Sequence, residues 1–216
     1  MLYLRQLGLG PMQNFVYLFG AAGEREVAVV DPAWDVDAIT AAAEADGKEL
    51  VAAFLTHHHH DHINGLEPLL ARRPDLRAYA QSTEIDFSPE LQAFGERIQG
   101  VAPDEVVQVG ELAVRCIHTP GHAPGAQCLL AADSLFSGDT LFIGGCGRCD
   151  LPGGDPRAMF DSLHRILGAL PDETIVYPGH DYAERPTSTI RAEKRTNPYY
   201  LHGDVESFVR FRMRPR

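Results

Sequence analysis

The spacing of apolar residues changes several times along the chain, and each change marks an element. "NFVYLFG" (14–20) and "VAVVDPA" (27–33) are short apolar runs separated by the turn-forming "AAGERE", which predicts a β-hairpin. "ELVAAFLT" (49–56) is almost continuously apolar, as expected of a strand covered on both faces. Between these lies "DVDAITAAAEADG" (35–47), which predicts a helix capped by Asp35 and closed by Gly47. "CLLAADSLFSGD" (128–139) predicts two strands around a tight turn. "DPRAMFDSLHRILGAL" (155–170) predicts one helix, with Asp155 as cap, Pro156 in the first helical position and Met159, Phe160, Leu163, Ile166, Leu167 and Leu170 as the apolar stripe. "PTSTIRAEKRTNP" (186–198) predicts a shorter helix ending before Pro198. Hairpins combined with strand–helix alternation predict an α/β sandwich of mixed sheets with helices outside.

Composition adds bounds. The 216 residues are 44% hydrophobic and 23% charged, ordinary for a globular protein, and no linker or repeat divides them, so one domain over 1–216 is expected. The net charge of −11 repels phosphate backbones, which argues against a nucleic-acid partner, whereas bound divalent cations would offset part of it. No segment has the length of a membrane span and the N-terminal run lacks the pattern of a secretory signal, so no membrane association and a cytoplasmic location are expected. The four cysteines are too few for a disulfide scaffold. Cys146 and Cys149 in "GCGRCD" read as two small residues of a glycine-rich loop, with a redox pair as the other option. The basic end "RFRMRPR" (210–216) reads as a solvated or loosely docked terminus.

The chemistry lies where strands stop. Four apolar runs each pass through a short turn to a residue type that binds metals. "VAAFL" leads through Thr56 to "HHHHDH", "VRCI" to His122, "SLFS" through Gly138 to Asp139, and "TIVY" through "PGH" to His180. Ligands gather outside the carboxyl ends of strands in open α/β sheets, so these four ends can converge. Within the histidine run, side chains at alternate positions of an extended chain share a face, which pairs His57 with His59. The turn into a helix near Ile63 redirects Asp61 and His62 toward a second position. His58 and His60 face the other way and are expected to contact neighbours or solvent. His118, His164 and His202 are read as ordinary core or surface histidines. Imidazole and carboxylate ligands without thiolate suit zinc, iron or manganese. Seven such groups match two adjacent metals if one carboxylate bridges them.

In this order, "THHHHDH", "TPGHAPG", "SGDTLF" and "YPGHDY" resemble the metallo-β-lactamase superfamily over nearly the whole chain. The resemblance implies a four-layer αβ/βα sandwich with a metal site at one edge of the sheets. It implies one metal on His57, His59 and His122, another on Asp61, His62 and His180, and Asp139 bridging them. "GDTLFIGGCGR" and "PGHDY" are similar to two families within it: glyoxalase II, which hydrolyses acylglutathione thioesters, and the persulfide dioxygenases, which use one iron.

For a hydroxyacylglutathione hydrolase, two divalent ions (zinc first, iron or manganese as alternatives) would share a bridging hydroxide oriented by Asp61. A thiolate leaves without a general acid, so a small thioester or glutathione-derived substrate suits such a site. For a dioxygenase, His57, His122 and Asp139 would hold a single Fe(II). The full ligand set resembles the hydrolases. Arg148 and Asp150 of "CGRCD", together with "STIRAEKRTNP", resemble the dioxygenases. By the same resemblance, Arg148 contacts a glutathione carboxylate and Tyr182 lies near the thiol end. A loop-bracing ion pair between Arg148 and Asp150 is the other reading of that arginine.

Overall fold

The computed structural model describes residues 1–214, so Pro215 and Arg216 of the basic end lie outside the described residues. Among the described residues, twelve strands form two six-stranded mixed sheets. The first sheet holds β1 (Leu2–Leu9), β2 (Asn14–Ala21), β3 (Glu26–Val30), β4 (Glu49–Phe54), β5 (Arg77–Gln81) and β6 (Ile98–Val101), side by side in chain order. The second holds β7 (Glu105–Val109), β8 (Leu112–His118), β9 (Gln127–Ala131), β10 (Ser134–Gly138), β11 (Ile175–Pro178) and β12 (Ser188–Thr189), again in order. Helices cover the outer faces: α1 (Val36–Ala45), α2 (His60–Ile63), α3 (Leu66–Arg72), α4 (Ser82–Phe87) and α5 (Pro89–Gln92), then α6 (Pro156–Asp161), α7 (Ile190–Thr196) and α8 (Val205–Arg212).

The predicted four-layer sandwich is what forms, and the period of two in β2 shows why. Val16 and Leu18 face a cluster shared with Val36 and Ile39 of α1 and Leu66 and Leu69 of α3. Phe15, Tyr17 and Phe19 point the other way, into a second cluster with Phe54 of β4 and Phe136 of β10. A third cluster joins Ile117, Cys128 and Leu135 of the second sheet to Met159, Leu163 and Phe208 outside it. Phe19, Phe54 and Phe136 are completely buried between the sheets, each contributing on the order of 1.5–3 kcal/mol of hydrophobic stabilisation. The hairpin of β2 and β3 and the tight turn between β9 and β10 form as predicted. Asp35 caps α1 by accepting the Ala38 N–H at 2.9 Å, and Gly47 takes the left-handed φ of +67° after it.

Several local expectations need correction. Helix begins at His60, before the expected Ile63, so Asp61 and His62 stand on a helical turn. The helix predicted over 155–170 is α-helical only to Asp161. It widens to a π turn over Ser162–Ile166 and tightens to a 3-10 turn over Leu167–Ala169. Ser162 donates its hydroxyl to the Pro120 carbonyl at 2.7 Å, and Leu170, restricted by Pro171, leaves the helical region at ψ 155°. The helix expected over 186–198 starts at Ile190, because Ser188 and Thr189 pair with β11 and Thr189 caps the helix. The basic end is not loose up to residue 212: Phe208 and Arg212, one turn apart in α8, are both buried. Among the described residues no helix is long and apolar enough to cross a membrane.

Candidate metal centre

The topology brings the ligand-type residues to one edge. β3, β4 and β5 are parallel in the first sheet, and β10 and β11 are parallel in the second. β8 and β10 are each antiparallel to β9, so β8 also runs in the direction of β10. The turns leaving β4, β8, β10 and β11 therefore open at the same side. Two cross-sheet ties hold the edge together: Gln127 N–H donates to the Thr56 carbonyl at 2.8 Å, and Phe15 N–H to the Gly179 carbonyl at 2.9 Å. Gly138 adopts a left-handed φ of +47°, and a Cβ there would lie 2.6 Å from the Thr56 side chain. Only glycine lets β10 turn into Asp139 at this point.

All seven singled-out residues come together. The potential ligand atoms of His57, His59 and His122 lie within 4.8 Å of one another, as do those of Asp61, His62 and His180. Asp139 stands between the two groups. Its Oδ2 is 3.5 Å from His122 Nε2, while its Oδ1 is 3.4 Å from both His62 Nε2 and His180 Nε2. Asp61 Oδ2 is likewise 3.4 Å from Nε2 of His62 and of His180. His58 and His60 stay outside: His58 bonds Glu84, and His60 is exposed with its ring edge-on to Trp34. His118, His164 and His202 lie elsewhere, on the Pro124 carbonyl, the Phe160 ring and the Phe211 ring.

Four of the five histidines of the cluster have their rings held from behind. Nδ1 of His62 donates to Asp31 at 2.8 Å, Nδ1 of His122 to the Arg148 carbonyl at 2.7 Å, and Nδ1 of His180 to the Met12 carbonyl at 2.9 Å. Nδ1 of His57 meets the Thr56 hydroxyl at 3.0 Å. These contacts leave Nε2 of all four rings facing inward, where His59 Nδ1 joins them 2.9 Å from His122 Nε2. Asn14 donates to the Asp61 carboxylate at 3.0 Å and is itself fixed by the Trp34 indole N–H at 2.8 Å.

A divalent cation fits this arrangement on the molecule's own terms. His57 Nε2 and Asp139 Oδ1 are buried without a hydrogen-bond partner, which is costly unless something else meets them. Imidazole nitrogens aimed at one another 2.9 and 3.1 Å apart present facing lone pairs to the same space. The electrostatics divide the two groups. Burial, then the neighbouring His62 and His122, holds His57 well below the usual histidine range, and burial with His122 takes His59 down to about 4. Burial works the same way on His62, but Asp139 and Asp31 outweigh it and lift that ring to about 9. Burial opposes the charge on Asp139, and His62 and His180 overcome it and hold the carboxyl below the ordinary carboxylate range. His57 and His59 are thereby held neutral and Asp139 ionised, the states that bind metals, whereas a cation binding at His62 would have to displace the proton that Asp139 and Asp31 favour there.

The site opens into a cleft of about 720 Å³. Its walls include Phe142, Ile143, Leu151 and Tyr199, with Tyr182 stacked on the His180 ring at 4.6 Å and 9°. Arg148 lines the cleft, and its guanidinium makes a two-pronged pair with Asp150 at 2.9 and 2.8 Å, the loop-bracing arrangement. Cys149 is buried, and burial pushes its thiol up to about 11.

Two partners of the cluster were not singled out from sequence. Asp31 ends "VAVVD" as Asp139 ends "SLFSGD", so the strand-then-acid pattern could have found it. Asn14 opens a strand 47 positions from Asp61 and has no local signature.

The metallo-beta-lactamase superfamily model matches residues 9–180. The chain belongs to that superfamily. Its relatives include the probable polyketide biosynthesis zinc-dependent hydrolase PksB of Bacillus subtilis (strain 168), 34% identical over 93% of this chain and 88% of that protein. The hydroxyacylglutathione hydrolase of Alkalilimnicola ehrlichii (strain ATCC BAA-1101 / DSM 17681 / MLHE-1) is 41% identical over 78% of this chain and 62% of its own length. Among solved structures, ETHE1 from Myxococcus xanthus superposes with a TM-score of 0.85 at 32% identity, covering 99% of this chain and 92% of that one. The superfamily and the two-sheet sandwich expected from the motifs are those of this enzyme.

Proposed function

We propose that this enzyme is a metal-dependent thioester hydrolase of the hydroxyacylglutathione hydrolase type. His57, His59 and His122 would hold one divalent ion and Asp61, His62 and His180 a second, with Asp139 between them. The observation that carries the reading is the division of the Asp139 carboxylate, one oxygen toward His122 and the other toward His62 and His180. Two divalent ions in such a site lower the pKa of a bound water toward neutrality and polarise a carbonyl.

The side chains around them supply the rest. Asp61, pinned by Asn14, would accept a hydrogen bond from the attacking water and orient it. Phe142, Ile143 and Tyr182 give the acyl and thiol arms an apolar wall, and Arg148 stands at the cleft as the candidate partner for a substrate carboxylate. The departing thiolate is stable enough near neutral pH to need no proton donor, and His57 and His59, held neutral, provide none. Zinc is supported by the nitrogen and oxygen donor set and by the zinc-dependent hydrolase among the relatives.

The test pairs metal analysis of the purified protein with two assays, thiol release from a lactoyl-type glutathione thioester and oxygen uptake with glutathione persulfide. Two metals per chain with thiol release is the expected result. One iron per chain with oxygen uptake would replace this reading with the single-iron dioxygenase that uses His57, His122 and Asp139.

A further inference from the structure

Glu84 is 1% exposed and belongs to neither ligand group. It stands on α4, where its Oε1 accepts the His58 backbone N–H at 2.8 Å and the His58 ring Nδ1–H at 2.6 Å. Its Oε2 accepts the Gly125 N–H at 2.6 Å. His58 is the residue between His57 and His59, and Gly125 follows His122 by three positions. One carboxylate thus holds both segments that carry the first ligand group. The contact is close on the backbone side as well, since a Cβ on Gly125 would run into the α4 main chain at Glu84. A buried carboxylate is expensive, and short charge-assisted bonds to three donors offset that cost while fixing the donors in space.

We propose that Glu84 is a positioning residue for the first metal: it sets the separation of the His58 and Gly125 segments so that His57, His59 and His122 converge. The proposal rests on the reading of those three histidines as ligands of one ion. A residue that only braced the fold would affect both ligand groups alike, whereas this role is confined to one. Groups that hold ligands in place from outside typically change metal affinity 10–100-fold when removed.

The test uses two parent variants, each keeping one candidate site. Asp61→Ala/His180→Ala keeps the first group, and His59→Ala/His122→Ala disrupts it while keeping Asp61, His62 and His180. Glu84→Gln, which keeps the shape of the side chain, is introduced into both. Metal-free proteins are titrated with cobalt(II) by its visible absorption, with circular dichroism and the unfolding midpoint recorded alongside. Glu84→Gln is expected to weaken cobalt binding roughly 10–100-fold in the first parent and by less than about twofold in the second.

His58→Ala, which removes one of the three bonds and keeps both backbone donors, is expected to give a smaller loss in the same direction; it decides the matter if Glu84→Gln does not fold. Equal losses in both parents, or none in the first, would overturn the positioning role. Failure of the first parent itself to bind cobalt would instead overturn the ligand reading on which it rests.

Discussion

Asp31 Oδ2 accepts a hydrogen bond from His62 Nδ1 at 2.8 Å across 31 positions of sequence. The same oxygen accepts the Thr56 hydroxyl at 2.6 Å, and Thr56 in turn meets Nδ1 of His57 at 3.0 Å. One buried carboxylate at the end of β3 therefore orients a histidine of each candidate ligand group. The positive φ of Asp31, +49°, turns the chain away from the strand there, and a Thr56 N–H bond of 2.7 Å holds its other oxygen.

Asp31→Ala removes this anchor and leaves the His62 ring free to rotate. Metal affinity at the Asp61, His62 and His180 group is expected to fall about 10–100-fold. Competition with a chromophoric chelator would measure it, and unchanged affinity would mean that packing alone holds the ring.

Tyr17, buried between the sheets, donates its hydroxyl to the Pro178 carbonyl at 2.6 Å, two residues before His180. Tyr17→Phe leaves that carbonyl without this partner in an apolar setting. Unfolding in urea should show a loss of about 1–3 kcal/mol with an unchanged m-value.

Removing the metals should destabilise the fold, because ions that bind only the native state stabilise it by mass action. A site at 100 times its Kd is worth about 2.7 kcal/mol, and a chain of this size moves about 2–4 °C per kcal/mol. Chelation is therefore expected to lower Tm by roughly 5–11 °C per such site. Calorimetry before and after zinc is restored would check it. A Tm indifferent to chelator would contradict metal binding under those conditions.

Arg148 pairs with Asp150 at the exposed rim of the cleft. If the guanidinium also receives a substrate carboxylate, Arg148→Ala should raise KM several-fold while kcat and the unfolding midpoint stay unchanged. An unchanged KM would leave it the bracing role alone. His122 should be spared in either case, since it uses the Arg148 backbone carbonyl, which alanine retains.

Much of this architecture can be read from local pattern. The alternation in β2, the cap at Asp35 and the glycine-marked turns after β10 and β11 are short-range features, governed by backbone sterics and by which side chains can share a face. The same holds for the seven candidate ligands, because strand ends announce themselves as apolar runs stopped by glycine, proline or threonine. The edges of elements were less legible. The π turn after Asp161 depends on a hydrogen bond from Ser162 to Pro120, 42 positions away, and the burial of Arg212 on its bond to the Gly147 carbonyl, 65 positions away.

What the amino-acid order determined by itself was the set of chemical groups and the strands that carry them. Which oxygen of Asp139 faces which histidines, and which residues Asp31, Asn14 and Glu84 hold, was decided only when the two sheets packed face to face. Those relationships join residues far apart in the chain, and no local preference for helix, strand or turn encodes the distance between them.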